Sequence, residues 1–166
     1  FRVEGQKTAA FELIDQLLFQ MPDLVIVPMG CGTNIASYAK GFNEYQQLGF
    51  IDKIPQLIGV EAQGADAIVR SYMQRQTYIQ PLKTVDTIAS AIAVPNPLDG
   101  IKALEAIYTT SGCAISVRDE EILEAQHLLS SQEGLFVEPA SATTFAALKK
   151  LTAEKKLSKK KIVCIL

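Results

Sequence analysis

The chain has 166 residues, 48% of them hydrophobic and 20% charged, with a formal net charge of −2. This is the make-up of one ordinary globular domain, or of one part of a larger protein, with enough chain to bury a substantial core. No apolar run approaches the roughly 20 residues that a membrane span needs, and three scattered cysteines (Cys31, Cys113, Cys164) beside a single histidine, His127, argue against a disulfide framework or a His-based metal site.

The chain opens FRVEGQKTAA, with neither a starting Met nor a signal-peptide pattern, so a mature or excised piece is expected, and the unpaired, scattered cysteines make a cytoplasmic location the expectation. Thr8 to Leu18 carries apolar residues at helical spacing and predicts a helix. Leu24-Val25-Ile26-Val27 is short, continuously apolar and mostly β-branched, the pattern of a buried strand, and Pro28 ends it. Gly30-Cys31-Gly32-Thr33-Asn34 reads as a glycine loop, and Ile35 to Lys40 as a helix start. After a turn at Asp52–Pro55, Gln56 to Ala62 predicts a second buried strand. Ala65 to Tyr78 suits a surface helix, Thr84 to Ile92 suits either a short helix or a loop, and Val94 to Gly100 is irregular.

Lys102 to Ser111 predicts a helix stopped by Gly112, and Cys113 to Val117 a strand. Residues 118–134 form a clear helix pattern, with Asp119 as the expected cap, acids in the first turn and Gly134 at the end. Ser141 to Leu151 predicts a further helix with Ser141 as its N-cap, and Lys161 to Leu166 a final buried strand. Strands separated by helices imply an α/β fold, a mostly parallel open sheet with helices on both faces, in a single domain spanning residues 1–166.

Charge is unevenly spread. Lys149, Lys150, Lys155, Lys156, Lys159, Lys160 and Lys161 crowd the end, leaving 9 basic against 17 acidic residues in positions 1–148. With no aromatics between them and an acidic remainder, these lysines read as a solvated helix end rather than a nucleic-acid surface.

A strand, a glycine turn and a helix start form an anion-binding geometry, because the first helical N–H groups are free and the helix dipole favours negative charge. A dinucleotide site wants a third glycine where Ile35 or Ala36 stands, although Glu61 does end the next strand. A phosphate-binding P-loop wants Gly-Lys-Ser/Thr, which is absent. The glycines could also serve only a tight turn. Cys31 could be an activated thiol at the helix start, though no histidine is near it in sequence. A second cluster, Glu138-Pro139-Ala140-Ser141-Ala142, stands between an apolar run and a helix.

Six segments in order resemble one family: EGQKTAAFELIDQL, DLVIVPMGCGTNIASYAKGFNE, IPQLIGVEAQGA, TIASAIAVPNPLDGIKALEAI, VRDEEILEAQHLLSSQEGLFVEPASATTFAAL and KIVCIL. It is the group of fold type II pyridoxal phosphate enzymes related to the tryptophan synthase β-subunit, and within it threonine synthase. The resemblance implies pyridoxal phosphate as cofactor, with Gly30, Cys31, Gly32, Thr33 and Asn34 cradling its phosphate and Glu138 near the pocket. Thr33 stands where the family usually has glycine, and Pro95 departs from the family pattern near the cofactor ring.

The activity implied is conversion of O-phosphohomoserine and water to threonine and phosphate, in a possible homodimer. Threonine or serine dehydratases, cysteine synthase relatives and a non-catalytic phosphate-binding domain are the alternatives. No lysine here has the family's Ser-x-Lys context: Lys7 lies in EGQKT, and Lys40 ends the loop helix. The family's Ser or Thr partner for the pyridine nitrogen would follow Leu166. This piece, which on that reading contributes no catalytic residue and joins the remainder of the same polypeptide, is therefore expected to be inactive alone.

Overall fold

The computed structural model describes residues 1–153, 157 and 159–166; Glu154, Lys155 and Lys156 of the lysine-rich end lie outside the described residues. In chain order the elements are α1 (Arg2–Gln6), α2 (Thr8–Gln16), β1 (Leu24–Pro28), α3 (Thr33–Gln47), β2 (Gln56–Ala62), α4 (Ala67–Met73), α5 (Gly100–Thr109), β3 (Cys113–Val117), α6 (Asp119–Glu133), α7 (Pro139–Ala153) and β4 (Ile162–Cys164). Two 3-10 turns, Gln63–Ala65 and Ser90–Ile92, complete them.

The strands form one four-stranded sheet in the order β3-β2-β1-β4, every pair parallel. Alternation along the strands sends side chains to two separate cores. Val25, Val27 and Leu57 join Ile14, Ile35, Phe42, Leu104 and Ile107 on the face covered by α2, α3, α4 and α5. Leu24, Ile26, Ile58 and Val60 join Ile122, Ala125, Ala140 and Ala146 under α6 and α7 on the other. The expected parallel sheet with helices on both faces is thus present, and among the described residues no helix is long and apolar enough to cross a membrane.

Several boundaries differ from the sequence reading, each for a physical reason. A short helix, α1, precedes α2, and α2 stops at Gln16 because Leu18 and Phe19 take left-handed φ values of 50° and 61°. The helix expected over Ala65–Tyr78 is only Ala67–Met73, since Arg75, at φ 55°, ends it. The helix expected over Lys102–Ser111 begins two residues earlier, at Gly100, and stops at Thr109, with Ser111 at φ 53°. The ambiguous Thr84–Ile92 stretch is a loop closed by one 3-10 turn. Asp119, expected to cap α6, is instead its first helical residue. Its carboxylate accepts the Thr87 hydroxyl at 2.6 Å and the Ile88 N–H at 3.0 Å, so it fastens that loop. The Glu121 carboxylate takes the capping part by accepting the Arg118 N–H at 2.7 Å.

The last strand is shorter than expected and half-buried rather than buried, because its place in the order puts it at the sheet edge. Among the nearby lysines, Lys149 pairs with Glu124 at 2.5 Å, Lys150 donates to the Ser116 carbonyl, and Lys160 and Lys161 donate to Gln56 and Gln20.

Candidate functional site

The sheet order places a switch at β1. The chain runs from β1 outward through β2 to β3, then returns to set β4 on the opposite side of β1. α3 leaves β1 over one face and α7 approaches β4 over the other, so a crevice opens beyond the carboxyl ends of β1 and β4. A cleft of about 530 Å³ lies there. Its lining includes all five residues of the glycine loop, Gly30 to Asn34, and also Glu138, Ala140 and Ser141 at the start of α7. Residues predicted as two sequence clusters more than 100 positions apart thus share one cavity. A larger depression of about 760 Å³ between α1, α3 and α5 contains none of the predicted loop residues.

The loop turns sharply because of two glycines. Gly32 has φ 84°, a left-handed conformation, and an added Cβ would sit 2.8 Å from the Asp99 carbonyl oxygen. At Gly30 an added Cβ would meet the Ile92 Cα at 3.0 Å, so the loop backbone is pressed against the 3-10 turn that forms the opposite wall. Thr33 and Asn34, expected in the loop, are already the first residues of α3. Among the described residues, none of the backbone N–H groups from Gly30 to Ile35 has an acceptor in the protein. They form a row of free donors at the N-terminus of a 15-residue helix.

The side chains sort less simply. The Thr33 hydroxyl donates to Asp99 Oδ2 at 2.7 Å, so its one proton is spent inside the protein and not on a ligand. Asp99 in turn receives Lys102 Nζ at 2.6 Å. Lys102 first, and the Thr33 hydroxyl second, hold the Asp99 carboxyl below the ordinary carboxylate range. Glu138 is exposed on the cleft, and its carbonyl accepts the Ala142 N–H. Ser141, expected as the N-cap of α7, is the third residue of that helix. Pro139 opens it, where its fixed φ and missing N–H are suited.

Of the segment holding Pro95, Ala91 and Ile92 reach the cleft, whereas the Pro95 carbonyl accepts the Leu82 N–H. Cys31 lines the cleft as a free thiol, and His127 is on the surface of α6. Lys7 and Lys40 are held in ion pairs with Glu4 and Glu44. Glu61, weighed as a ribose reader, is 1% exposed. It accepts the Val69 N–H at 2.8 Å and the Ile68 N–H at 3.4 Å, fixing the start of α4. One contributor escaped the sequence reading. Arg2, the one cation among the described residues lining the cleft, had no signal beyond a polar start. Asp99 and Lys102, which the sequence offered as residues that could line the pocket, are not among the residues lining this cleft; Asp99 instead reaches the glycine loop through Thr33 and Cys31.

The family described as pyridoxal-phosphate dependent enzyme matches residues 1–166. The chain belongs to this pyridoxal-phosphate dependent family. It is 51% identical over 166 residues to a threonine synthase of Methanocaldococcus jannaschii, covering 99% of this chain and 41% of that protein. It is 45% identical over 151 residues to a threonine synthase of Methanosarcina acetivorans, covering 91% and 37% respectively. The chain therefore spans about two fifths of the length of the curated relatives it matches.

Among solved structures, a T.th. threonine deaminase is similar at a TM-score of 0.73 and 27% identity, over 91% of this chain and 53% of that one. An L-serine ammonia-lyase from Rhizomucor miehei shares the fold at a TM-score of 0.82 and 21% identity, over 97% of this chain and 49% of that one. The enzymes of this family carry pyridoxal phosphate, and the cleft fits its phosphate group. Unpaired N–H donors line it, glycines leave the backbone uncovered, and a helix N-terminus adds its dipole.

Proposed function

We propose that this chain is the phosphate-holding part of a threonine synthase-like enzyme that converts O-phosphohomoserine and water into threonine and phosphate. One observation supports the cofactor reading above the rest: the free N–H row from Gly30 to Asn34 lines a cleft at the sheet's switch point. The curated relatives at 45–51% identity support the choice of reaction.

In this reading the backbone of Gly30, Cys31, Gly32, Thr33 and Asn34 holds the cofactor phosphate. Arg2 adds positive charge to the rim, and Ala91 and Ile92 form an apolar wall. Glu138 and Ser141 border the same cavity from α7 and shape its far side. When bound, pyridoxal phosphate supplies an electron sink for bond breaking beside an amino-acid nitrogen. The chain's own residues bind and orient; among the described residues no lysine lines the cleft. The proton-moving lysine and the partner of the cofactor ring are assigned to the remainder of the same polypeptide, and the 166-residue chain alone is inactive.

The test is phosphate release from O-phosphohomoserine, with threonine formed in equal amount, by the full-length protein that contains this chain. The chain alone, given the same substrate and cofactor, should release none. A second reading, a threonine or serine dehydratase, takes its support from the likeness to the threonine deaminase. Ammonia release from L-threonine with no turnover of O-phosphohomoserine would replace the first reading with the second.

A further inference from the structure

We propose that Asp99, neutralised by Lys102 and tied to the Thr33 hydroxyl, is a positioning residue that sets the glycine loop for a phosphate; this rests on the loop reading above. Asp99 grips the loop at three points from a chain distance of 66 residues. Its N–H donates to the Cys31 carbonyl at 2.9 Å, and its Oδ2 accepts the Thr33 hydroxyl at 2.7 Å. Its carbonyl oxygen stands where a Gly32 side chain would be.

The first contact fixes a direction. The peptide joining Cys31 to Gly32 is trans and planar, so a Cys31 carbonyl aimed at Asp99 aims the Gly32 N–H the opposite way, off the clamp and free to meet a ligand. The second contact orients the first turn of α3, because Thr33 is 5% exposed and has no other hydroxyl partner among the described residues.

A carboxylate beside an anion site would repel its ligand, and Lys102 cancels that charge at 2.6 Å. Lys102 is itself 60% exposed, so its ion pair adds little to folding and its effect on the site can be separated from stability. The pair therefore supplies hydrogen-bonding geometry to the loop without presenting net negative charge to it.

The experiment titrates the full-length apo protein with pyridoxal 5′-phosphate and, separately, with pyridoxal, which lacks the phosphate. The 31P resonance of the bound phosphate is recorded alongside. T33V should weaken pyridoxal phosphate binding about ten-fold while T33S keeps it within about two-fold, the effect of one hydrogen bond at a charged site. Pyridoxal binding should not change in either variant, and the 31P resonance should shift in T33V alone. K102M should weaken pyridoxal phosphate several-fold, and D99N/K102M should regain it, because an asparagine side chain still accepts from Thr33 without carrying the charge.

G32A serves as the loop control. If G32A binds pyridoxal phosphate at least about ten-fold more weakly while T33V and K102M bind like the wild type, the clamp is wrong and the loop reading stands. If G32A also binds like the wild type, the loop reading falls and the clamp with it. Should T33V fail to fold, K102M and its double variant decide the matter, since Lys102 is on the surface.

Discussion

Glu61 offers the sharpest stability test in the chain. Its carboxyl is 1% exposed at the end of β2, and burial is the main reason it is pushed up from the ordinary 4.5 to about 8. The Val69 and Ile68 N–H groups pull the other way, and the nearby Asp66 adds to the rise. A carboxyl raised on folding stabilises while protonated. Its contribution is whole below pH 4.5, declines as the unfolded chain ionises, and is gone once pH passes about 8. Proton linkage makes the full swing worth about 5 kcal/mol at most.

Glu44 and Asp99 behave oppositely. Their carboxyls are lowered by lysine partners, so their stabilisation holds above their ordinary values and is lost in acid. Between about pH 5 and about pH 8 Glu61 therefore dominates the slope. Urea unfolding of wild type and E61Q across that range is the assay. The glutamine of E61Q keeps a carbonyl to accept the Val69 N–H and cannot ionise. The wild type should lose several kcal/mol relative to E61Q as pH rises, and the E61Q profile should stay nearly flat. Parallel profiles for the two proteins would refute the reasoning.

G32A should lose roughly 2–4 kcal/mol of stability, from the left-handed φ and the Asp99 carbonyl in its path, measured by the same unfolding assay. Cys31, on the cleft, should be alkylated by iodoacetamide in the full-length apo protein and be shielded when pyridoxal phosphate is added. Cys164 should resist alkylation at about pH 8, because burial pushes its thiol up to about 11. D119A should cost about 1–3 kcal/mol by unpairing the Thr87 hydroxyl and the Ile88 N–H, and hydrogen exchange should quicken at Ile88.

The sheet was legible in the sequence because its strands are short apolar runs, Leu24–Val27 ended by Pro28 and Cys113–Val117 set off by Gly112, a pattern that helices of this chain do not share. Boundaries were harder. Thr33 and Pro139 begin helices because the backbone turns there, yet Ser141 and Asp119 look like better starts on local preference alone. Tertiary demand overrode that preference: Asp119 is drawn to Thr87, 32 residues away. The glycine loop and Glu138 could be named from spacing and resemblance, but nothing local says that they share a cavity. That follows from β1 standing between β2 and β4. The part played by Asp99 was hidden for the same reason, since its partners lie across the chain. Glu61 could not be told from a ligand-reading acid until its burial was known.

Because α3 is seated in one core and α7 in the other, the cleft is a seam between two layers packed independently against opposite faces of the sheet. A ligand seated in the seam touches both layers at once and acts as a rivet. Its binding free energy then appears as resistance to parting the layers, growing with the logarithm of ligand concentration over Kd. Substitutions deep in either layer, far from any ligand atom, should accordingly loosen the rivet as well as the layer that carries them.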